Sequence, residues 1–414
     1  MVNRRSSFRI GWGLPTAVVA VAVLLVAGAA GASDAEKVNP FTALNGPKVA
    51  HETGFNGDPT YTGGPNICAN CHPQAFEDWL SHGHARKLAL TGSLTYTETG
   101  DRGATTGARD AGVPLPSHDP DVYNWDNIMF VVGASKHWKS RYVGMDGYFL
   151  TVNGKNQYNW RTGEFVDYHA DEVDKPFDCS PCHTTGYRSP EDGGDTFQTD
   201  FDMPGIIGDF AHMNITCEAC HGPGAEHAAA PSTSNIIVDT SAEACGTCHT
   251  RGDDPQVALA SGDFIRHHEQ WPEMNIGAHS FLDCGSCHDP HVGRARGVGD
   301  GQTEICGNCH SDEVEEYDGS AMQAAGVKCQ DCHMGLATKS AAAMGPYEGD
   351  VWSHIFEIDS SADYDMFNRD SGGASVSAKG ALSLEYACFR CHAGADKAAY
   401  AAIGDSGTAY HTID

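Results

Sequence analysis

Cys217-Glu-Ala-Cys220-His221, Cys245-Gly-Thr-Cys248-His249, Cys284-Gly-Ser-Cys287-His288, Cys306-Gly-Asn-Cys309-His310 and Cys329-Gln-Asp-Cys332-His333 follow one another within residues 212–334. Each reads C-x-x-C-H. Cys68-Ala-Asn-Cys71-His72, Cys179-Ser-Pro-Cys182-His183 and Cys388-Phe-Arg-Cys391-His392 repeat the pattern elsewhere, and the eight motifs consume all 16 cysteines. An even cysteine count ordinarily suggests disulfides, but disulfide pairing gives no reason for a histidine after every pair. Zinc knuckles use C-x-x-C yet need a second ligand pair and no following histidine. The spacing is that of c-type haem attachment. Two thiols on one helical turn add to the two vinyl groups of a porphyrin, and the histidine after the second cysteine reaches the iron. Eight covalently attached haems c are therefore expected, with His72, His183, His221, His249, His288, His310, His333 and His392 as proximal ligands.

Eight motifs in 414 residues leave about 50 residues of chain for each large apolar cofactor, so porphyrins form much of the core. The expected fold is mostly irregular and α, with short helices around stacked haems and many of the turns that 48 Gly and 19 Pro favour. A different texture occupies 128–168. There β-prone runs at 129–132, 140–143 and 147–152 are separated by Gly147 and by Asn153-Gly154, which predicts a small antiparallel meander. After the first motif, Phe76, Trp79, Leu80 and Leu88 fall at roughly helical spacing within 73–89.

The chain divides on this reading into a leader at 1–32, an N-terminal arm at 33–67 and a two-haem segment with the inserted meander at 68–211. A dense five-haem region at 212–340 and a C-terminal wrap carrying haem 8 at 341–414 complete it. Arg4, Arg5 and Arg9, an apolar run too short to span a bilayer comfortably, and Ala30-Gly31-Ala32 make 1–32 a secretory signal peptide. Export to the periplasm or the cell exterior is expected, with no integral membrane segment once the leader is removed. The dense region repeats internally: His212, four residues, C-x-x-C-H and a trailing His227 resemble His279, four residues, C-x-x-C-H and His291. The net charge of −29 argues against nucleic acid or an anionic membrane surface as partner, and redox proteins, other cytochromes among them, suit it better.

Function turns on the sixth iron ligand: two protein ligands make a relay, whereas an open position binds a small molecule. Fourteen histidines lie outside the motifs, enough to close all eight haems. The favoured distal ligands are His84, His227, His279, His291 and His354, together with one of the His267–His268 pair, of which we take His268. His82, His137, His169 and His212 stay open, His118 reads as a loop residue, and His51 and His411 are lone histidines that could ligate a haem of a neighbouring subunit.

The block Cys217-Glu-Ala-Cys220-His221-Gly-Pro-Gly-Ala-Glu-His227 resembles the C-E-x-C-H-G-P-G-x-x-H block of the exported multihaem c-type cytochromes, a family that includes the tetrahaem electron carriers of nitrifiers. Residues 179–187, 267–270, 284–291, 329–334 and 353–356 are similar to blocks in its larger members, some of them filament-forming extracellular cytochromes. The resemblance covers about 68–392 and implies a multihaem cytochrome c fold, with His227, His291 and His354 as distal ligands; His137 and His212 have no match in the pattern. Two functions remain open. One is an octahaem electron carrier working by haem-to-haem hopping, alone or in self-polymerised form. The other is an octahaem reductase or oxidase of nitrite, hydroxylamine or tetrathionate with one open haem.

Overall fold

The computed structural model describes residues 55–92, 94–97, 101–105, 107–134, 137–199, 201–292, 302–394 and 396–405. The leader, most of the N-terminal arm with His51, and His411 lie outside them.

The motifs themselves are single helical turns. The backbone N–H of the histidine donates to the first cysteine's carbonyl at 2.9 Å for His72 and Cys68, 3.1 Å for His183 and Cys179, and 2.8 Å for His310 and Cys306. This i to i−4 bond brings both thiols and the imidazole onto one turn. Short helices carry them, among them Pro65–Ala69, Ser180–His183, Cys217–His221, Gln302–Gly307 and Cys329–His333. The helix expected after the first motif runs over Pro73–Ser81 and buries Phe76 and Trp79. It ends earlier than the apolar spacing suggests. His82 turns extended and its Nδ1 accepts from the His84 N–H at 2.9 Å, so a 3-10 turn over Gly83–Arg86 follows. Leu88 consequently enters a strand, not the helix.

That strand, Leu88–Leu90, is the edge of a five-stranded antiparallel sheet continued by Ile128–Val132, Lys139–Gly144, Gln157–Asn159 and Glu164–Val166. The meander expected at 128–168 is present, with one strand more at its start. The 147–152 run is not one of its strands: Phe149 and Tyr148 make only isolated bridges to Val143 and Pro176. Asn153, Gly154 and Lys155 then all take positive φ, a sharp turn into Gln157–Asn159.

Alternation along these strands buries both faces. Leu88, Leu90, Phe130, Val132 and Val143 join Phe177, Phe197, Ile206 and Phe210 on one side. Ala89, Val131 and Tyr142 join Val113 and Tyr123 on the other. Met129 departs from the alternation because the register slips between Ile128 and Phe130.

A second apolar centre lies in the C-terminal half. Phe264–Arg266 pairs in parallel with Thr338–Lys339, and Phe264, Ile265, Ile355, Met366, Phe367, Leu382 and Tyr386 pack around it. The protein is thus a mostly short-helical fold with small, chiefly antiparallel sheets, an architecture consistent with a multihaem cytochrome c. Among the described residues no helix is long and apolar enough to cross a membrane.

Candidate haem centres

All sixteen cysteines are free of disulfides. Their motifs stand in a definite spatial order. Cys68 is in side-chain contact with Cys217, Cys245 with Cys284, and Cys306 with Cys329. Cys220 neighbours Cys245, Cys287 neighbours Cys309, and Cys332 neighbours Cys391. Hydrogen bonds fix several of these junctions: Thr62 to Glu218, Ala242 N–H to Asp283, and Arg390 to Asp331. The motifs at 68–72, 217–221, 245–249, 284–288, 306–310, 329–333 and 388–392 therefore form one row. The motif at 179–183 stands beside it, through Cys182 against Cys248 and the Cys248 thiol against the Pro181 carbonyl at 3.8 Å.

An iron held at roughly 2 Å by each of two opposed imidazoles keeps their ring centroids about 6 Å apart. Several motif histidines face a second imidazole at that spacing. His72 stands 6.4 Å from His227, His221 stands 6.2 Å from His291, and His288 stands 6.2 Å from His354. His310 stands 5.9 Å from His279. His249 has two such neighbours, His84 at 6.4 Å and His268 at 6.3 Å. Among the described residues no ring stands opposite His183 at this distance, although His84 and His268 are both near it.

The second ring nitrogen tells a ligand from a bystander, because a ligand uses one nitrogen for iron and anchors the other. His221 Nδ1 bonds the Ile237 carbonyl at 2.8 Å, His333 Nδ1 the Phe356 carbonyl at 2.9 Å, and His249 Nδ1 the Gln270 side chain at 3.2 Å. His227 Nδ1 lies 3.1 Å from both the Ser232 carbonyl and Asn235 Oδ1. For His221, His249 and His227 this leaves Nε2 for a metal. His212, left open, and His267, passed over for His268, are engaged the other way round. His212 donates through Nε2 to Glu218 at 3.0 Å, and His267 Nε2 is occupied by the Arg251 guanidinium. Of the adjacent pair, His268 is thus the better placed. His118, His137 and His169 are exposed, and His169 bonds Glu172.

Burial, with neighbouring cations, holds the ring of His183 at about 3, and burial with nearby His82 holds His84 at about 2. Burial also brings His354 down to about 3. Neutral imidazoles are the form that binds metal. His183, His279 and His354 each keep a buried Nδ1 that has no hydrogen-bond partner. The residues present therefore fit haem c.

Glu218, second residue of its motif, was not singled out from the sequence and proves to be a hub. Its carboxylate accepts from Thr62 N–H at 2.9 Å, Thr62 Oγ1 at 2.8 Å, Gly224 N–H at 2.7 Å and His212. Burial alone would raise its pKa, but these donors outweigh burial and hold it below the usual carboxylate value. The signal available in the sequence was an acidic residue inside a turn otherwise reserved for haem, with His212 six residues before it.

Residues 280–315 match the family model described as a doubled CXXCH motif, and residues 151–222 match that of cytochrome c554 and c-prime. Among curated proteins the chain is similar to multiheme cytochrome MtrA of Shewanella baltica (strain OS185), at 24% identity over 131 residues, 29% of this chain and 35% of that one. The match spans about a third of that relative's length. Two solved structures share the fold. Outer cell wall cytochrome OcwA aligns with a TM-score of 0.53 and 18% identity over 84% of this chain and 86% of that one. The octaheme sulfite reductase MccA of Wolinella succinogenes aligns at 0.56 and 14% identity over 82% and 66%. In the two segments that the family models match, the chain is similar to multihaem c-type cytochromes, it shares their fold, and its C-x-x-C-H motifs support haem c as its cofactor.

Proposed function

We propose that the protein is an octahaem cytochrome, exported to the periplasm or the cell exterior, that carries electrons along its haems. When bound, each haem supplies a one-electron couple, and closely spaced haems pass electrons by hopping. The chain's own part is ligation, spacing and exclusion of water. The observation that carries this reading is the pairing of imidazoles about 6 Å apart around five motif histidines, which suits closed relay sites more than open ones.

On this reading His227 closes the haem of His72, His291 that of His221, His354 that of His288 and His279 that of His310. His84 and His268 serve the haems of His249 and His183 between them. The haem row then follows the motif row, with the haem of 179–183 as a side branch at the haem of 245–249. Other cytochromes are the fitting partners. Subunits joining end to end, through His51 or His411, would extend the row into a filament. The test is the intact mass of the purified holoprotein with haem-peptide mapping. Eight haems on eight motif peptides are expected, and a smaller number in fully loaded protein would refute the octahaem reading.

One observation favours a second reading. His183 has near neighbours in His84 and His268, but both stand at ligand distance from His249 instead. A haem open on that side would make the protein a reductase or oxidase of a small nitrogen or sulfur compound, fed by the other seven. The spin state of the oxidised protein separates the two readings.

A further inference from the structure

Cations are scarce in this chain, 26 Lys and Arg against 55 Asp and Glu, and several of those described form ion pairs. Arg188 bonds Asp209, Arg369 bonds Asp263 and Asp365, Arg390 bonds Asp331, and Lys397 bonds Glu385. Lys87, Arg141 and Arg251 gather around the 179–183 motif, with Lys139 near Arg141 and with Arg266 and Lys339 beside Arg251, and among the described residues none of these six makes an ion pair. The two main sheets deliver them. Leu88 pairs with Val132 and Val132 with Arg141, so Lys87, Lys139 and Arg141 share one end of the five-stranded sheet. Lys139 and Arg141, two apart on a strand, share a face. The C-terminal sheet brings Arg266 against Lys339 in register, and Arg251 lies beside them.

Arg251, Arg266, His267 and Lys339 line a cavity of about 300 Å³ floored by Phe264 and Ile265. Arg141 is fixed from the sides, with its guanidinium 3.9 Å over the Tyr168 ring and Nε donating to Gln157 at 2.5 Å, which leaves its outer nitrogens for another partner. Lys87, Arg141 and Arg251 are the charges that act on His183. The acids near these cations are Asp178, Asp350 and the buried Glu269, which lies by Arg251 and Arg266, and Asp350 is already committed to the backbone N–H groups of Ser340, Ala341 and Ala342.

Half-buried cations without a counter-ion are costly, and the cost falls when an anion completes the site. Burial pulls Lys87 down from its ordinary value, and burial with Arg141 pulls Lys139 to about 8.

We propose that Lys87, Lys139, Arg141 and Arg251 bind the propionate carboxylates of the haem carried by Cys179, Cys182 and His183, and thereby make it the most readily reduced haem of the set. The inference rests on the octahaem reading. Cations beside a haem favour the ferrous over the ferric iron, because the ferric core carries one more positive charge. The other haems lie in a strongly acidic chain. The side branch then acts as the place where an electron entering the row comes to rest.

The test uses the haem-loaded full chain and the variants Lys87→Gln, Arg141→Gln and Lys87→Arg. Peptide mapping first establishes that 179–183 carries haem. Its absence there would sink the octahaem reading and this assignment with it, whereas unmoved potentials with eight haems retained would sink the assignment alone. With eight haems retained, the one-electron component of highest potential should shift so that its ferric-to-ferrous ratio rises about tenfold at fixed potential, which is 59 mV for one electron. Lys87→Arg should keep the native curve. If Lys87→Gln loads fewer haems, Lys139→Gln is titrated in its place with the same expectation. Titrations superimposable on wild type overturn the proposal. So does saturable binding of inorganic sulfate to the loaded wild type that disappears in Arg141→Gln, since the cations would then be holding a free anion.

Discussion

Glu218→Ala tests the link between the first motif and the dense row. The substitution strips an acceptor from four donors, Thr62 N–H, Thr62 Oγ1, Gly224 N–H and His212 Nε2, all within 3.0 Å of the carboxylate. An unsatisfied buried donor costs about 1–3 kcal/mol, and breaking a buried hydrogen-bonded pair from one side costs about 3–5 kcal/mol. Water reaching the emptied site prevents simple addition, so we expect a loss of roughly 3–5 kcal/mol in unfolding free energy.

Glu218→Gln keeps one acceptor oxygen but turns an amide against a donor, and should lose about 1–3 kcal/mol. The donors hold the native carboxyl below its unfolded value. Its contribution is therefore complete above the unfolded value, about 4.3, and fades as pH falls through the folded one. The gap between wild type and Glu218→Gln should accordingly shrink below about pH 4. Guanidinium unfolding of the haem-loaded proteins, followed by far-ultraviolet circular dichroism from pH 3 to 7, is the assay. A Glu218→Ala variant within about 0.5 kcal/mol of wild type at pH 7 would refute the reasoning.

Three further outcomes follow from the geometry. His227→Ala should convert one haem to a high-spin ferric signal, whereas His267→Ala should not, because its Nε2 already holds Arg251; electron paramagnetic resonance of the two variants reads the difference directly. Phe130→Ala, at a fully buried position between the sheet and Phe177, should lower stability by about 3–5 kcal/mol in denaturant titration. Gly205→Ala would set a methyl 2.3 Å from the Gly147 carbonyl carbon and the Tyr148 nitrogen, so a loss of about 1–3 kcal/mol is expected from the same measurement.

What could be read in the sequence was whatever covalent chemistry or local turn chemistry dictates. The motif spacing needs no tertiary information, because two thiols and an imidazole must share one helical turn. Asn153-Gly154 likewise announces its turn through residues that tolerate positive φ. The Leu88–Leu90 strand could not be read this way. It is three residues long, follows directly on a helix pattern, and is a strand only because Ile128–Val132 arrives beside it.

The pairing of histidines was out of reach for the same reason. His72 meets His227 and His84 meets His249 across more than 150 residues, and no local signal carries such a contact. His212 was left open because its position before the motif suits a ligand. What binds it is Glu218, a partner visible in the sequence but meaningful only once both are buried. The cation cluster was missed because Lys139 and Arg141 read as the solvent face of a strand, and burial against the 179–183 motif gives them a different role.

The central claim is that the chain closes its haems with histidine pairs and conducts. Low-temperature electron paramagnetic resonance of the fully oxidised, fully loaded protein tests it most directly. The account predicts eight low-spin ferric haems per chain. A high-spin signal integrating to one haem per chain would contradict it and turn the protein from a conduit into a catalyst.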